Sequence, residues 1–221
     1  KSLHSSGEMN GYQRTDEVAG LTHSVSDDYA RKLRHAYYAA ISYIDTQVGQ
    51  ILTELEILGL DKNTIVVVWG DHGWHLGDQR VWGKHTVFES SLRSAFIMRL
   101  PGTHNAAKPI ASIIETVDIF PTLLTLCHVA LPYQAHGESF KNLLSSLDTE
   151  KKDVAYSYFR NGISIRTDRY RLTRYFRPEE PVIELYDYST DPNETKNIAM
   201  ERPEVVAELM PLLEKGNTGL Y

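Results

Sequence analysis

Asp71 and His72 stand side by side just after an apolar run, Thr64 to Trp69, within Asn63-Thr-Ile-Val-Val-Val-Trp-Gly-Asp-His-Gly-Trp-His-Leu-Gly-Asp78. A carboxylate offers hard oxygen to a divalent cation, and an imidazole offers nitrogen beside it. Thirteen positions after Asp71 comes Lys84, in Val81-Trp-Gly-Lys-His-Thr-Val-Phe88. A lysine folded back over a metal site pairs with an anionic, tetrahedral group. Metal pair, anion receptor and glycine-hinged loop together point to hydrolysis of a sulfate or phosphate ester. The bland alternative for the pair is a turn-capping aspartate beside a satisfied loop histidine. For Lys84 the alternative is a solvated surface lysine. Two ligands do not complete a site for a hard divalent cation, which takes about six or more mostly oxygen ligands.

The elements that must position these residues are legible from periodicity. Residues 1–25 are polar, without a repeating pattern, and read as an irregular arm. Ser26-Asp27-Asp28 is a helix start. Leu33, Tyr37, Ala40, Ile41, Ile44, Val48, Ile51, Leu52 and Leu55 then recur at helical spacing up to Gly59. The tyrosines Tyr37, Tyr38 and Tyr43 read as core. Thr64–Trp69 lacks alternation, so it predicts a parallel strand covered on both faces, with Asp71 and His72 at its carboxyl end, where ligands bind in open α/β sheets. Ala95–Met98 is a second short strand, closed by Pro101-Gly102. Ile113–Val129 contains a helix in which Asp118 is a cap and Pro121 is tolerable in the first turn. After Pro132 the texture changes. Val154–Phe159, a hairpin over Ile163–Tyr175 turning at Thr167-Asp168-Arg169, and Ile183–Asp187 read as strands. Asp191-Pro192-Asn193 is a turn, and Pro203 opens a terminal amphipathic helix to about Lys215. The expected division is an arm over 1–25, an α/β part over 26–132 and an antiparallel sheet with its helix over 133–221.

Composition narrows the partners. With 23 Lys+Arg against 29 Asp+Glu the net charge is −6, which gives no support for nucleic acid. No stretch approaches the ~20 apolar residues that span a bilayer. Lys1–Gly7 has no apolar segment of the kind a signal peptide needs. The single cysteine, Cys127, excludes an internal disulfide and reads as a buried thiol in an apolar helix. The hairpin arginines Arg166, Arg169, Arg171 and Arg174 read as a solvated sheet face with charge pairs. A sharper alternative is that some of them read the anionic groups of a glycan. Asn193-Glu194-Thr195 matches a glycosylation acceptor but lies inside the Asp-Pro turn.

In order and spacing, several motifs resemble the type I sulfatases of the alkaline phosphatase superfamily, and within them the iduronate-2-sulfatase-like branch and its microbial relatives. They are Ala36-Tyr-Tyr-Ala-Ala-Ile-Ser-Tyr-Ile-Asp-Thr-Gln-Val-Gly49, Trp69-Gly-Asp-His-Gly-Trp74, Glu115-Thr-Val-Asp-Ile-Phe-Pro-Thr-Leu123, Ile165-Arg-Thr-Asp-Arg-Tyr-Arg171 and Glu184-Leu-Tyr-Asp-Tyr-Ser-Thr-Asp-Pro-Asn-Glu194. The likeness runs from about residue 28 onward. It implies an α/β fold: the C-terminal part of a sulfatase-like sheet flanked by helices, followed by a small antiparallel subdomain with a C-terminal helix. It implies a calcium site with Asp71 and His72 as two ligands, Lys84 as a contact to the substrate sulfate, and Trp74 and His85 lining the pocket where the sugar sits. His75 is a further candidate on the substrate side. Lys84 and His85 are the catalytic candidates, with His85 or His75 able to protonate the leaving alcohol.

The chain also departs from that family. Its members attack with a formylglycine made from cysteine or serine in Cys/Ser-x-Pro-x-Arg, and no such motif occurs here; Cys127 is followed by His128-Val129-Ala130. The family's N-terminal acidic pair is also missing. The expectation is therefore a C-terminal portion of a longer or two-chain sulfatase, inactive alone, acting on a sulfated sugar such as a uronate 2-O-sulfate of a glycosaminoglycan. Its expected partners are the missing half of the enzyme or a second copy, and its expected compartment is periplasmic, secreted or lysosomal. Two rivals remain: a phosphodiesterase or phosphonate hydrolase of the same superfamily, and a non-catalytic binding or assembly fragment.

Overall fold

The computed structural model describes residues 6–12, 17–20, 23–102, 109–131, 133–145, 154–176 and 182–219. Lys1 to Ser5 of the polar arm, and Pro132, where the sequence suggests a boundary, lie outside them. Backbone packing divides the chain into two units, residues 1–107 and 108–221. The division falls well before the boundary expected at 132/133, because the segment around Asp118 packs with the second unit.

In the first unit the arm is not irregular throughout. Gly7–Tyr12 forms a short helix, α1. Six residues are too few to be stable on local terms, so this helix rests on tertiary contacts. Asn10 supplies two of them: its amide donates to the Ala19 carbonyl at 2.8 Å and accepts from the Ala19 N–H at 2.9 Å. The long helix α2 spans Asp27–Ile57. Ser26 caps it, its hydroxyl accepting from the Tyr29 N–H, with Asp27 and Asp28 in the first turn favouring the positive end of the dipole. Gly59, at φ 68°, closes it in a left-handed conformation.

Ala30, near the start of α2, is its one buried residue among the described ones and packs with Ala19, Val25 and Trp82, while Val48, Leu52 and Leu55 further along are half-buried. Tyr37, Tyr38 and Tyr43 are exposed, as are Ile41, Ile44 and Ile51. This corrects the core reading of those tyrosines. The amphipathic stripe is there, but the described residues cover it only in part: Leu33, Val48, Leu52 and Leu55 are half-buried and its middle is exposed.

Strand β1, Val66–Trp69, pairs with a strand over Phe96–Arg99 in antiparallel register, Val66 opposite Arg99 and Trp69 opposite Phe96. The expected parallel pairing covered on both faces is not what the described residues form: the neighbour is antiparallel, and Val68, Trp69 and Ile97 are exposed. The apolar run correctly marks a strand, but a strand's partner is set by chain outside the run. Between these strands lie two short ones, β2 (His75–Leu76) and β3 (Trp82–Gly83), paired antiparallel, and the one-turn helix α3 (Glu89–Leu92). The strand over Phe96–Arg99 is β4.

In the second unit, helix α4 (Ile119–Leu126) starts as the sequence suggests, with Pro121 in its first turn. Asp118 is buried; its carboxylate accepts from the N–H groups of Glu115 (2.8 Å) and Glu138 (2.9 Å). The Glu115 carboxylate accepts from the Tyr156 N–H at 2.7 Å, tying this segment to the sheet of its own unit. Cys127 is exposed at the end of α4, which corrects the buried-thiol reading. A short helix α5, Lys141–Ser145, follows. The sheet is a four-stranded meander of β5 (Ala155–Phe159), β6 (Gly162–Arg166), β7 (Tyr170–Tyr175) and β8 (Ile183–Asp187). Ile163, Ile165, Leu172 and Leu185 on one face meet Val205, Leu209 and Leu213 of α6, Pro203–Lys215. The four-residue spacing of those helix residues puts them on one stripe.

The opposite face carries Ser164, Arg171 and Thr173. Arg171 is not solvated, which corrects that part of the arginine reading. Its side chain is 2% exposed and its Nε lies 2.6 Å from Glu194 Oε1, whose side chain is 1% exposed. Tyr188 donates to the same carboxylate oxygen, and Arg171 also donates to Ser164. Arg169, by contrast, pairs with Asp187 from the surface and holds that carboxyl well below the usual carboxylate range.

Candidate active site

β1 delivers the first two candidate residues. Its ladder continues one residue beyond the strand, Gly70 N–H donating to the Ala95 carbonyl at 2.9 Å, and the chain then turns out with Asp71 and His72. The Asp71 side chain is 78% exposed, and one of its oxygens lies 3.5 Å from His72 Nε2. His72 Nδ1 sits 2.7 Å from the Gly73 carbonyl, which can only accept, so Nδ1 carries the proton. Nε2, the other ring nitrogen, faces the Asp71 carboxylate. A metal-binding imidazole is normally oriented by such a bond from its other nitrogen.

Gly73 is required by crowding. A Cβ there would lie 2.2 Å from the Ser90 carbonyl oxygen. The close approach lets the Gly73 N–H donate to the Ser91 carbonyl at 2.7 Å. Trp74, half-buried, has its ring 6.4 Å from that of His72.

His75 is fully buried rather than facing solvent, its Nε2 2.8 Å from Thr86 Oγ1 and its ring edge-on to Phe88. Burial pulls its pKa below the ordinary value, against the smaller opposing pull of Asp78. Neutral and packed, it fixes the turn that follows Lys84. Trp82 is buried beneath Arg34 of α2, whose guanidinium lies 5.3 Å from the ring centre and donates to the Leu76 carbonyl.

Lys84 and His85 leave β3 together and meet a residue that the sequence reading missed. Lys84 Nζ lies 3.3 Å from Glu8 Oε1, and His85 Nδ1 lies 3.4 Å from Glu8 Oε2. Glu8 comes from α1, inside the arm read as irregular. Its six-residue helix is too short to leave a periodic signal. Ser91 was missed as well. It is buried, its carbonyl accepts from Gly73, and its hydroxyl donates to the Lys84 carbonyl. One residue therefore joins the Asp71–His72 turn to the Lys84–His85 turn. No local signal marks it.

The donor set suits a divalent cation in part. Asp71 oxygen and His72 nitrogen stand 3.5 Å apart, but among the described residues no group of three or more His, Cys, Asp or Glu side chains converges. An open cleft of 420 Å³ in the second unit, lined by Asp187, Asp191, Lys196 and Glu201 among others, holds none of the candidate residues.

The sulfatase family model matches residues 4–129, more than half of the chain and all the candidate residues, and the model for the C-terminal part of N-sulphoglucosamine sulphohydrolase matches residues 70–217. The chain belongs to the sulfatase family. A sulfatase of Formosa agariphila is 30% identical over 190 residues, covering 85% of this chain and 37% of its own. Iduronate 2-sulfatase of Mus musculus is 31% identical over 140 residues, covering 52% of this chain and 25% of its own. Among solved structures, a 2-O GAG sulfatase superposes with a TM-score of 0.78 at 27% identity, over 87% of this chain and 44% of that one. A phosphonate monoester hydrolase of Silicibacter pomeroyi gives the same TM-score at 22% identity, over 90% and 43% of the two chains. The fold is thus the sulfatase fold, shared with phosphonate hydrolases. This sulfatase chain spans well under half the length of those curated relatives, in the portion that carries the Asp-His turn.

Proposed function

We propose that the chain is the part of a sugar sulfatase that supplies two ligands of a calcium site and the lysine that receives the sulfate group. The observation that carries this reading is the placing of His72: Nδ1 held at 2.7 Å by the Gly73 carbonyl, Nε2 facing the Asp71 carboxylate at 3.5 Å just after β1. In the working enzyme Asp71 and His72 hold the cation, with further oxygen ligands coming from outside the described residues. Held by Asp71 and His72, a cation would supply Lewis-acid polarisation of the ester oxygens. Lys84 presents its ammonium to the sulfate oxygens and opposes the charge that grows in the transition state. His85 donates a proton to the departing sugar oxygen. Trp74 forms an apolar wall for the sugar ring. His75 supports the Lys84 turn from inside.

The nucleophile, a formylglycine, belongs to a part of the enzyme outside these 221 residues, so the chain alone does not turn over a sulfate ester. The substrate class is a sulfated glycosaminoglycan or related polysaccharide, with uronate 2-O-sulfate the leading candidate. The exposed stripe of α2 and the exposed faces of Trp69 and Ile97 are covered by the rest of the enzyme, and self-association takes its place when the chain is alone.

The test is a comparison of sulfate and phosphonate esters of one alcohol with the protein that carries this chain. Turnover of the sulfate, lost by about 10²–10³ in Lys84→Met, is expected. Turnover of the phosphonate with none of the sulfate would sink the reading. Calcium added to the 221-residue chain should shift amide resonances of Gly70–Trp74 weakly, and Asp71→Asn should abolish the shift.

A further inference from the structure

Glu8 occupies the cationic face that Lys84 and His85 share. Its carboxylate touches both Lys84 Nζ and His85 Nδ1, one through each oxygen. It is a sheltered anion, its side chain only 15% exposed, while that of Lys84 is 30% exposed. Oε1 also accepts from the Tyr12 hydroxyl at 3.1 Å, and Oε2 is buried without a hydrogen bond from the described residues. A buried carboxylate oxygen left without a hydrogen bond depends on neighbouring positive charge. The element that carries Glu8 is built in place. The Trp82 N–H donates to Ser6 Oγ at 2.9 Å, and Asn10 clamps Ala19 through both of its amide atoms. Met9 packs on the cluster of Ala19, Val25, Ala30 and Trp82.

We propose that Glu8 is a resident counter-ion of the Lys84–His85 anion site, and that α1 is a plug which a sulfate group must displace to reach Lys84. This rests on the reading of Lys84 as the sulfate receptor. Its physical basis is competition: one ammonium in one geometry does not serve a carboxylate and a sulfate at full strength together. Substrate binding then includes withdrawal of Glu8, and the affinity seen at Lys84 is what remains after the carboxylate has been displaced.

The test uses the 221-residue chain and inorganic sulfate, followed by amide and side-chain resonances of Lys84 and His85. Glu8→Gln keeps the shape and removes the charge. Losing a partly sheltered ion pair of ~1 kcal/mol should tighten sulfate binding by about fivefold. Asn10→Ala keeps the carboxylate but breaks the clamp to Ala19, and should shift affinity the same way. It carries the test if Glu8→Gln disturbs the resonances of α1. Lys84→Met should remove the binding in every background. Sulfate binding at Lys84 in the parent chain that neither variant tightens, or that Glu8→Gln weakens, overturns the plug and leaves the sulfate-receptor reading intact. No sulfate binding in any of these proteins overturns both.

Discussion

Arg171→Met is the perturbation whose cost the structure defines most sharply. The guanidinium and its partner Glu194 are both buried, 2.6 Å apart, in a network that includes Tyr188 and Ser164. Methionine fills much of the same space, so the packing loss is small. What remains is a carboxylate in the interior that has lost its cationic partner and still accepts from the Tyr188 hydroxyl at 2.6 Å. Breaking a buried pair from one side costs roughly 3–5 kcal/mol, because the surviving charge is stranded. In a unit of this size that lowers the melting temperature by about 10–20 °C. The double variant Arg171→Met/Glu194→Met removes the stranded charge and should recover most of the loss. All three tryptophans lie between Trp69 and Trp82 in the first unit. The second unit must therefore be followed separately, by hydrogen exchange at the β6 and β7 amides or by tyrosine circular dichroism. A single-variant cost under ~1 kcal/mol, or a double variant as unstable as the two singles summed, would refute the argument that charge stranding governs this site.

Other expectations concern the first unit. Ser91→Ala removes the hydroxyl donor to the Lys84 carbonyl, which still accepts from the Thr86 N–H; it should cost about 1 kcal/mol in urea unfolding and broaden the Lys84 and His72 resonances together, whereas an effect confined to one turn would deny the linkage. Gly73→Ala forces a Cβ against the Ser90 carbonyl and should cost about 2 kcal/mol, read by tryptophan fluorescence; a neutral outcome would show that this turn can move aside. His75 has a depressed folded pKa, so its contribution is fully present above the unfolded value near 6.5. It is lost as pH falls from there towards the folded value, because the unfolded chain binds a proton that the native state refuses. His75→Gln should therefore flatten the pH dependence of first-unit stability below about pH 6.5 relative to the parent, and parallel curves would contradict this.

The sequence carried the local elements well. Ser26 with Gly59 bracketed α2, the apolar run marked β1, Thr167-Asp168-Arg169 marked a turn, and Pro203 opened α6. Each of these signals is local: a cap, a turn residue or a fixed φ. Errors came where distant chain decides. The direction and cover of β1 depend on its neighbour β4, and the exposure of Tyr38 and Cys127 on what packs against their helices. The burial of Arg171 depends on Glu194, placed 23 residues on, which no alternation pattern reveals. Of the candidate site, Asp71, His72 and Lys84 were legible as types in an order. Glu8 and Ser91 were not, because one sits on a six-residue helix and the other acts by joining two turns through a carbonyl and a hydroxyl that no local pattern marks.

Ser91 has a practical meaning for anyone reshaping this protein. The turn with Asp71 and His72 and the turn with Lys84 and His85 share one mechanical support, so they form a single cassette rather than two interchangeable loops. A transplant of residues 70–86 alone into another scaffold would leave both turns without their common strut. Loop exchange aimed at a different ester should therefore take the whole of 70–93, or leave Gly73 and Ser91 untouched and vary only what lies between them.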